Sequence, residues 1–292
     1  MRLGTRGSAL ALVQARAVRD ALGGEAAAEI VEITTSGDRG IRTHPPDKAR
    51  WIDTIEDALE RGEIDLAVHS AKDVPAASLL RDGMKLAAVL GREDARDALI
   101  GAGSLDELPE GARVGTASLR RRAQLLAVRG DLEVVVLRGN VDTRLRKLRE
   151  GACDALILAA AGLRRLGREE EIGALLDASV FVPAPGQGAL AVEGRAIPSG
   201  IVDADTDAAL RAERFVVEAL EATCDTPVGV HHDGLALHAF VGMPDGSAWL
   251  RDSVTVSGPG DEAARLIVER LVSMGARDLL ARAAEQAGEP SS

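Results

Sequence analysis

The chain has 292 residues, a formal net charge of −11, 46% hydrophobic residues, 2% aromatic residues and no tyrosine. That length allows about two domains, with room for a third, and the apolar content suffices for a sizeable core and excludes a mainly disordered chain. The shortage of aromatic platforms and the negative charge argue against a partner that is nucleic acid.

In chain order, Arg2–Thr5 reads as a short strand, and Ser8 caps a helix running to about Leu22. Glu29–Thr34 is a second strand, Trp51–Arg61 a helix with Ile52, Ile55 and Leu59 on one face, Asp65–Val68 a buried strand and Lys85–Leu90 another. This alternation implies a mostly parallel sheet covered by helices on both faces. The pattern then restarts, with strands at Arg113–Gly115, Glu133–Leu137 and Ala155–Leu158 and helices at Ser118–Val128 and Val141–Glu150. The run Pro183-Ala-Pro-Gly-Gln-Gly188 reads as a crossing between domains. Asp205–Ala222 is an amphipathic helix. Beyond Pro227, two strands (Leu235–Val241 and Trp249–Val256) and two helices (about Asp261–Met274 and Ala276–Gln286) make a small α+β domain. The expected fold is α/β, with two similar α/β domains around a cleft and a small C-terminal α+β domain. The boundaries fall at 1–91 with 189–207, at 92–188, and at 208–292.

The two cysteines, Cys153 and Cys224, form no metal motif and suggest a reducing compartment. No apolar run reaches membrane-spanning length, and the N-terminal stretch is too basic and periodic for a signal peptide. The expectation is a cytoplasmic protein, monomeric, with no membrane partner and no metal.

Charge is unevenly spread. Thirty-one of the 35 basic residues are Arg, and between Arg113 and Arg149 nine Arg and one Lys meet three acids, so that segment is +7 and the remainder −18. Genomic Arg bias explains the shortage of Lys but not why acids avoid this stretch. Arg grips carboxylates and phosphates with a planar pair of donors, so a small polyanion is the expected ligand.

Three strand ends run into helix starts and carry anion-binding groups. They are Thr5-Arg-Gly-Ser8, with Arg6 and Ser8; Gly115–Arg122, with Thr116, Ser118, Arg120 and Arg121; and Leu137–Arg144, with Arg138 and Arg144. Arg120 and Arg121 project about 100° apart on a helix and are expected to hold two different carboxylates of one ligand. An ordinary helix cap competes with each reading. A fourth stretch, His69–Pro75, sets Lys72 and Asp73 at a strand end, where a carboxylate can stabilise a cation or move a proton. His69 itself reads as a satisfied structural histidine. Cys224, in a loop at the last domain change, is a candidate nucleophile or attachment point, against the commoner reading of a small buried hydrophobe. Cys153 fits that commoner reading.

These stretches, together with IDLAVHSAKDVP, VGTASLRRRAQL, LRGNVDTRLRKL, PAPGQGALAVE and ATCDTPVG, resemble the hydroxymethylbilane synthase (porphobilinogen deaminase) family over about residues 3 to 230. The resemblance implies two lobes like those of periplasmic binding proteins around an active-site cleft. It implies a third domain whose Cys224 carries a dipyrromethane cofactor through a thioether. It further implies a transferase of tetrapyrrole and haem biosynthesis that deaminates porphobilinogen, joins the units head to tail on that primer and releases the linear tetrapyrrole. Pyrroles bearing two carboxylates each are the polyanion the basic segment calls for. By resemblance Asp73 is catalytic, and Lys72, Asp73, Thr116, Ser118, Arg120, Arg121 and Arg144 bind the cofactor. Arg6, Ser8, Arg138, Arg144, Arg165 and Gln187 bind substrate or assist elongation.

Two stretches depart from the family pattern. Its glycine-rich lid with a Lys and a Phe is here the shorter, proline-containing Arg42–Trp51, which puts Lys48 and Trp51 in those places. Ahead of the Cys, Ala222-Thr223 stand where the family has Gly-Gly. The rival from another class is a non-catalytic two-lobed binding protein for a carboxylated small molecule, which fold alone does not exclude.

Overall fold

The structure, a computed structural model, describes residues 1–35, 52–74, 80–222, 226–257 and 260–288. It contains three sheets. In the first, β1 (Arg2–Arg6), β2 (Glu29–Ile33) and β3 (Leu66–Ser70) are parallel, and β4 (Lys85–Val89) lies at the far edge. Helix α1 (Ala9–Ala21) follows β1, capped by Ser8, whose side chain accepts from the Ala11 amide. It buries Ala15 and Val18 against Leu3, Leu66, Val68 and Val192. The opposite face is covered by α2 (Asp53–Glu60), through Ile55, Ala58 and Leu59 against Ala67.

The second sheet repeats this plan, with β6 (Arg113–Gly115), β7 (Glu133–Val135) and β8 (Ala155–Ala159) parallel. Helix α3 (Leu119–Val128) packs on one face through Leu125. Helices α4 (Val141–Arg149) and α5 (Ala160–Arg165) pack on the other, through Leu145 and Leu163.

Each sheet also holds one strand that arrives from the other lobe. The chain leaves β4 and enters β5 (Asp97–Ile100), which pairs antiparallel with β8 and with the short β9 (Ala174–Leu175). It returns through residues 183–189 into β10 (Leu190–Gly194), antiparallel to β3 and β4. The strand orders are therefore 2-1-3-10-4 and 7-6-8-5-9. The sequence reading lacks β5 and β9. β5 is four residues long, too short for a periodic signal.

At the crossing, Glu93 donates its amide to the Gly188 carbonyl at 3.1 Å. Gly188 has φ +87°, and a Cβ there would lie 2.2 Å from the Glu93 oxygen, so the two crossing segments touch only because this residue is glycine.

The third sheet is antiparallel: β11 (Val228–His232), β12 (Ala236–Gly242) and β13 (Trp249–Thr255). Helices α6 (Ala204–Ala219), α7 (Asp261–Ser273) and α8 (Ala276–Gly288) cover one face with a continuous apolar core. The other face meets the second lobe through Phe240 against Ala123 and Val182. Glu213 of α6, fully buried, ties the parts together. It pairs with Arg92 at 2.6 Å and accepts from the amides of Gly186 (2.6 Å) and His232 (2.8 Å). Burial opposes its ionisation, but Arg92 and His231 outweigh that and hold its pKa down at about 2.

Candidate active site

A cleft lies between the first two sheets, at the ends of β1, β3 and β8. Its walls come from both lobes: Arg6, Ser8, His69, Lys72 and Asp73 from the first, and Arg121, Arg144 and Arg165 from the second.

The local chain explains how these groups arrive. Arg6 ends β1, two residues before the Ser8 cap. After β3 the backbone tightens into a 3₁₀ turn, Ala71–Asp73, anchored by the Ala71 amide on the Ala189 carbonyl at 3.1 Å. That turn brings Lys72 and Asp73 to the rim. Lys72 donates to Gln187 Oε1 at 3.3 Å. Burial and the neighbouring Arg121 push its pKa down to about 8, against the opposing pull of Asp73 and Asp97.

On the second lobe, Asn140 caps α4 by accepting from the Thr143 amide at 2.9 Å, which sets Arg144 one turn in. Arg144 Nε is buried without a hydrogen-bond partner, and burial together with Arg121 lowers the guanidinium pKa to about 10. Arg165, at the end of α5, donates to the Gly188 carbonyl at 2.7 Å. Among the described lining residues the cations Arg6, Lys72, Arg121, Arg144 and Arg165 face a single carboxylate, Asp73. A buried guanidinium without a partner is costly unless an anion completes it, so this lining fits a ligand carrying several carboxylates.

Not every anticipated group reaches the cleft. Arg120 and Arg121, expected on two separate ligand carboxylates, both reach one carboxylate of the protein itself. Both converge on Asp97, one per oxygen: Arg120 Nη1 lies 2.7 Å from Oδ2, and Arg121 Nε donates to Oδ1 at 2.9 Å. The 100° between them on the helix is bridged by the width of one carboxylate. Arg120 also donates to the Val182 carbonyl at 2.7 Å and does not line the cleft, whereas Arg121 does. Burial opposes ionisation of Asp97, but the two guanidinium groups hold its carboxyl far below the usual range.

Thr116 is buried, with its Oγ1 accepting from the Ser118 amide at 3.2 Å, and Ser118 caps α3. Arg138 is exposed, and its carbonyl accepts from Lys147. Gln187 is 1% exposed and links Lys72 to Asp97 behind the wall, its Nε2 donating to Asp97 Oδ1 at 2.9 Å. None of these four lines the cleft. Lys48, Trp51 and Cys224 lie outside the described residues. Cys153 is a free buried thiol whose pKa burial pushes up.

The sequence reading left two groups out of the site. His69, expected to be a satisfied structural histidine, borders the cleft with its Nε2 3.6 Å from Glu193 Oε2. Asp97 anchors the Arg pair, and its signal was a carboxylate opening the apolar run Asp97-Ala-Leu-Ile100.

Comparison with known proteins agrees with the site's chemistry. A family model described as "Porphobilinogen deaminase, dipyromethane cofactor binding domain" matches residues 1–202. A porphobilinogen deaminase of Geobacter metallireducens is 43% identical, covering 96% of this chain and 94% of that one. One of Nitrobacter hamburgensis is 44% identical, covering 97% and 94%. Among solved structures, a nutrient-binding protein of Burkholderia cenocepacia bound to methionine overlays with a TM-score of 0.39 and 14% identity, over 67% of this chain and 84% of that one.

Proposed function

The chain belongs to the porphobilinogen deaminase family, and we propose that the cleft between its first two lobes is where it deaminates porphobilinogen and joins the units head to tail on a dipyrromethane primer, releasing hydroxymethylbilane. The observation that carries this assignment is that, among the described lining residues, Lys72, Arg121, Arg144 and Arg165 surround one carboxylate, with Arg144 Nε buried and unpartnered. When bound, the dipyrromethane supplies a nucleophilic pyrrole carbon and a row of carboxylates.

In this reading Arg6, Ser8, Lys72, Arg144 and Arg165 hold carboxylates from both walls, and Arg121 does so at the limit of its pairing with Asp97. Asp73 stabilises the cation left when ammonia departs and carries the proton at the reacting carbon. Thr116, Ser118, Arg120 and Gln187 support the wall from behind, and Arg138 meets ligand from the exposed rim of the second lobe. Lys48 and Trp51 belong to the lid, and Cys224 holds the primer by its thioether.

We assign 1–91 with 189–207 and 92–188 as the two lobes and 208–292 as the primer-carrying domain. The protein acts as a cytoplasmic monomer without a nucleic-acid partner. The net charge of −11 supports that reading, and no helix among the described residues is long and apolar enough to cross a membrane. A non-catalytic binding protein has no use for a thiol-linked pyrrole, so intact mass is the test. The purified chain is expected to exceed its sequence mass by one dipyrromethane and to lose that increment in Cys224→Ser. An unmodified chain that still forms hydroxymethylbilane at full rate would overturn the assignment.

A further inference from the structure

Behind the floor of the cleft lies a buried acid that the reading above does not use. Glu193, on β10, is fully buried, and neither carboxylate oxygen has a hydrogen-bond partner. Its Oε2 lies 3.6 Å from His69 Nε2, across the β3–β10 pair. His69 is itself 5% exposed, lines the cleft, and stands four residues ahead of Asp73. The imidazole thus borders the cleft on one side and a buried carboxylate on the other.

We propose that His69 and Glu193 share a proton and act as a proton store for the cleft, lending it and recovering it once in each addition. This rests on the deaminase reading. A carboxylate buried without donors is costly unless a proton or a cation accompanies it. Four other groups face the pair. Glu56 of α2 is a second carboxylate, and burial and then Glu193 raise its pKa while its bond to Arg81 lowers it. Arg214 of α6 has one Nη buried and unpartnered and gives the other to the Val74 carbonyl at 3.2 Å. Asp73 and Lys72 stand on the cleft side. Arg81 is already engaged with Glu56 and Glu60, and Arg214 makes no bond to Glu193, so the imidazole is the group placed to supply the proton.

The chemistry gives such a store a use. The aminomethyl group enters as an ammonium. Its C–N bond breaks with the electron pair on nitrogen, giving ammonia. The methylene carbon then bonds to the α-carbon of the acceptor pyrrole, which gives up its hydrogen as a proton. Ammonia ends as ammonium, so no proton is consumed overall. The ammonia forms before the pyrrole proton is released. A proton lent to the released ammonia, making it ammonium, and regained from the α-carbon of the acceptor pyrrole, with Asp73 acting at the reacting atoms, closes the cycle.

Glu193 is thus a positioning residue acting through His69. The test uses the holoprotein with porphobilinogen, together with NMR titration of the His69 ring. In Glu193→Gln the basic limb of kcat should move to lower pH, with KM unchanged within about twofold, and Glu193→Asp should restore it. His69→Gln should abolish that limb and lower kcat by about 10²-fold. If the limb stays in place while the ring's titration moves, or if His69→Gln keeps full kcat and loses only thermal stability, the pair is structural and the proposal is overturned. Should Glu193→Gln fail to fold, His69→Gln and the wild-type titration still decide. A wild-type chain without primer mass or without porphobilinogen turnover would instead overturn the deaminase reading.

Discussion

Arg120 and Arg144 stand on successive helices on opposite faces of the second sheet, each near the start of a helix that follows a parallel strand, yet they meet opposite environments. Arg120 is 5% exposed and completed by Asp97 and the Val182 carbonyl. Arg144 is also largely enclosed, but its Nε has no partner and its nearest charged influence is another cation, Arg121. One guanidinium is framework and the other awaits an anion. The difference is set by the partner across the fold and not by the residue, its helix or its position in the helix. Arg121, clasping Asp97 while touching the cleft, joins the two classes.

The largest effect that sharpens this contrast should come from Arg120→Leu. It leaves the buried Asp97 short of one partner and should cost about 3 kcal/mol or more in chemical denaturation. Arg144→Leu should cost little or nothing in stability, because it removes a buried charge that no acid compensates. It should instead slow formation of primer-loaded protein, followed by intact mass, by about 10-fold or more, the worth of one charge-assisted pair. If Arg144→Leu destabilises as much as Arg120→Leu, the division between the two groups fails.

A smaller contrast lies in pH. The framework acids have depressed pKa values, Glu213 falling from 4.5 to about 2. Their stabilisation is present above the unfolded value and is lost as pH falls through the folded one, so acid unfolding should steepen below about pH 4.5. Lys72 in the cleft gives a slope of the same sign in a higher pH window, and there it is the charged form that the fold penalises. Its pKa drops from 10.5 to about 8, so the folded chain binds fewer protons between those values and its stability rises with pH there. Carboxylate binding by Lys72 should weaken over the same range, raising KM for porphobilinogen above about pH 8. Lys72→Gln should flatten that rise.

The sequence made the strand-end placement of Arg6, Ser8, Lys72, Asp73, Arg121 and Arg144 legible, because a strand running into a capped helix is a local pattern. It made the two-lobed α/β plan legible for the same reason. The fate of the Arg side chains was not legible. Asp97 pairs with residues more than 20 positions away, across a strand that exists only because the chain crosses between lobes. His69 and Glu193 escaped likewise, since their meeting depends on the register of β3 with β10.

The most direct test of the chemistry assigned to the cleft is a pair of steady-state rates with porphobilinogen, for Asp73→Asn and Asp73→Glu. Asn keeps the size and an acceptor but removes the charge, and should lower turnover by about 10²-fold or more. Glu keeps the charge one methylene further out and should retain more activity than Asn. If Asp73 merely shapes the turn after β3, Asn is nearly neutral and Glu is worse. A faster Asn variant would therefore remove Asp73 from the reaction.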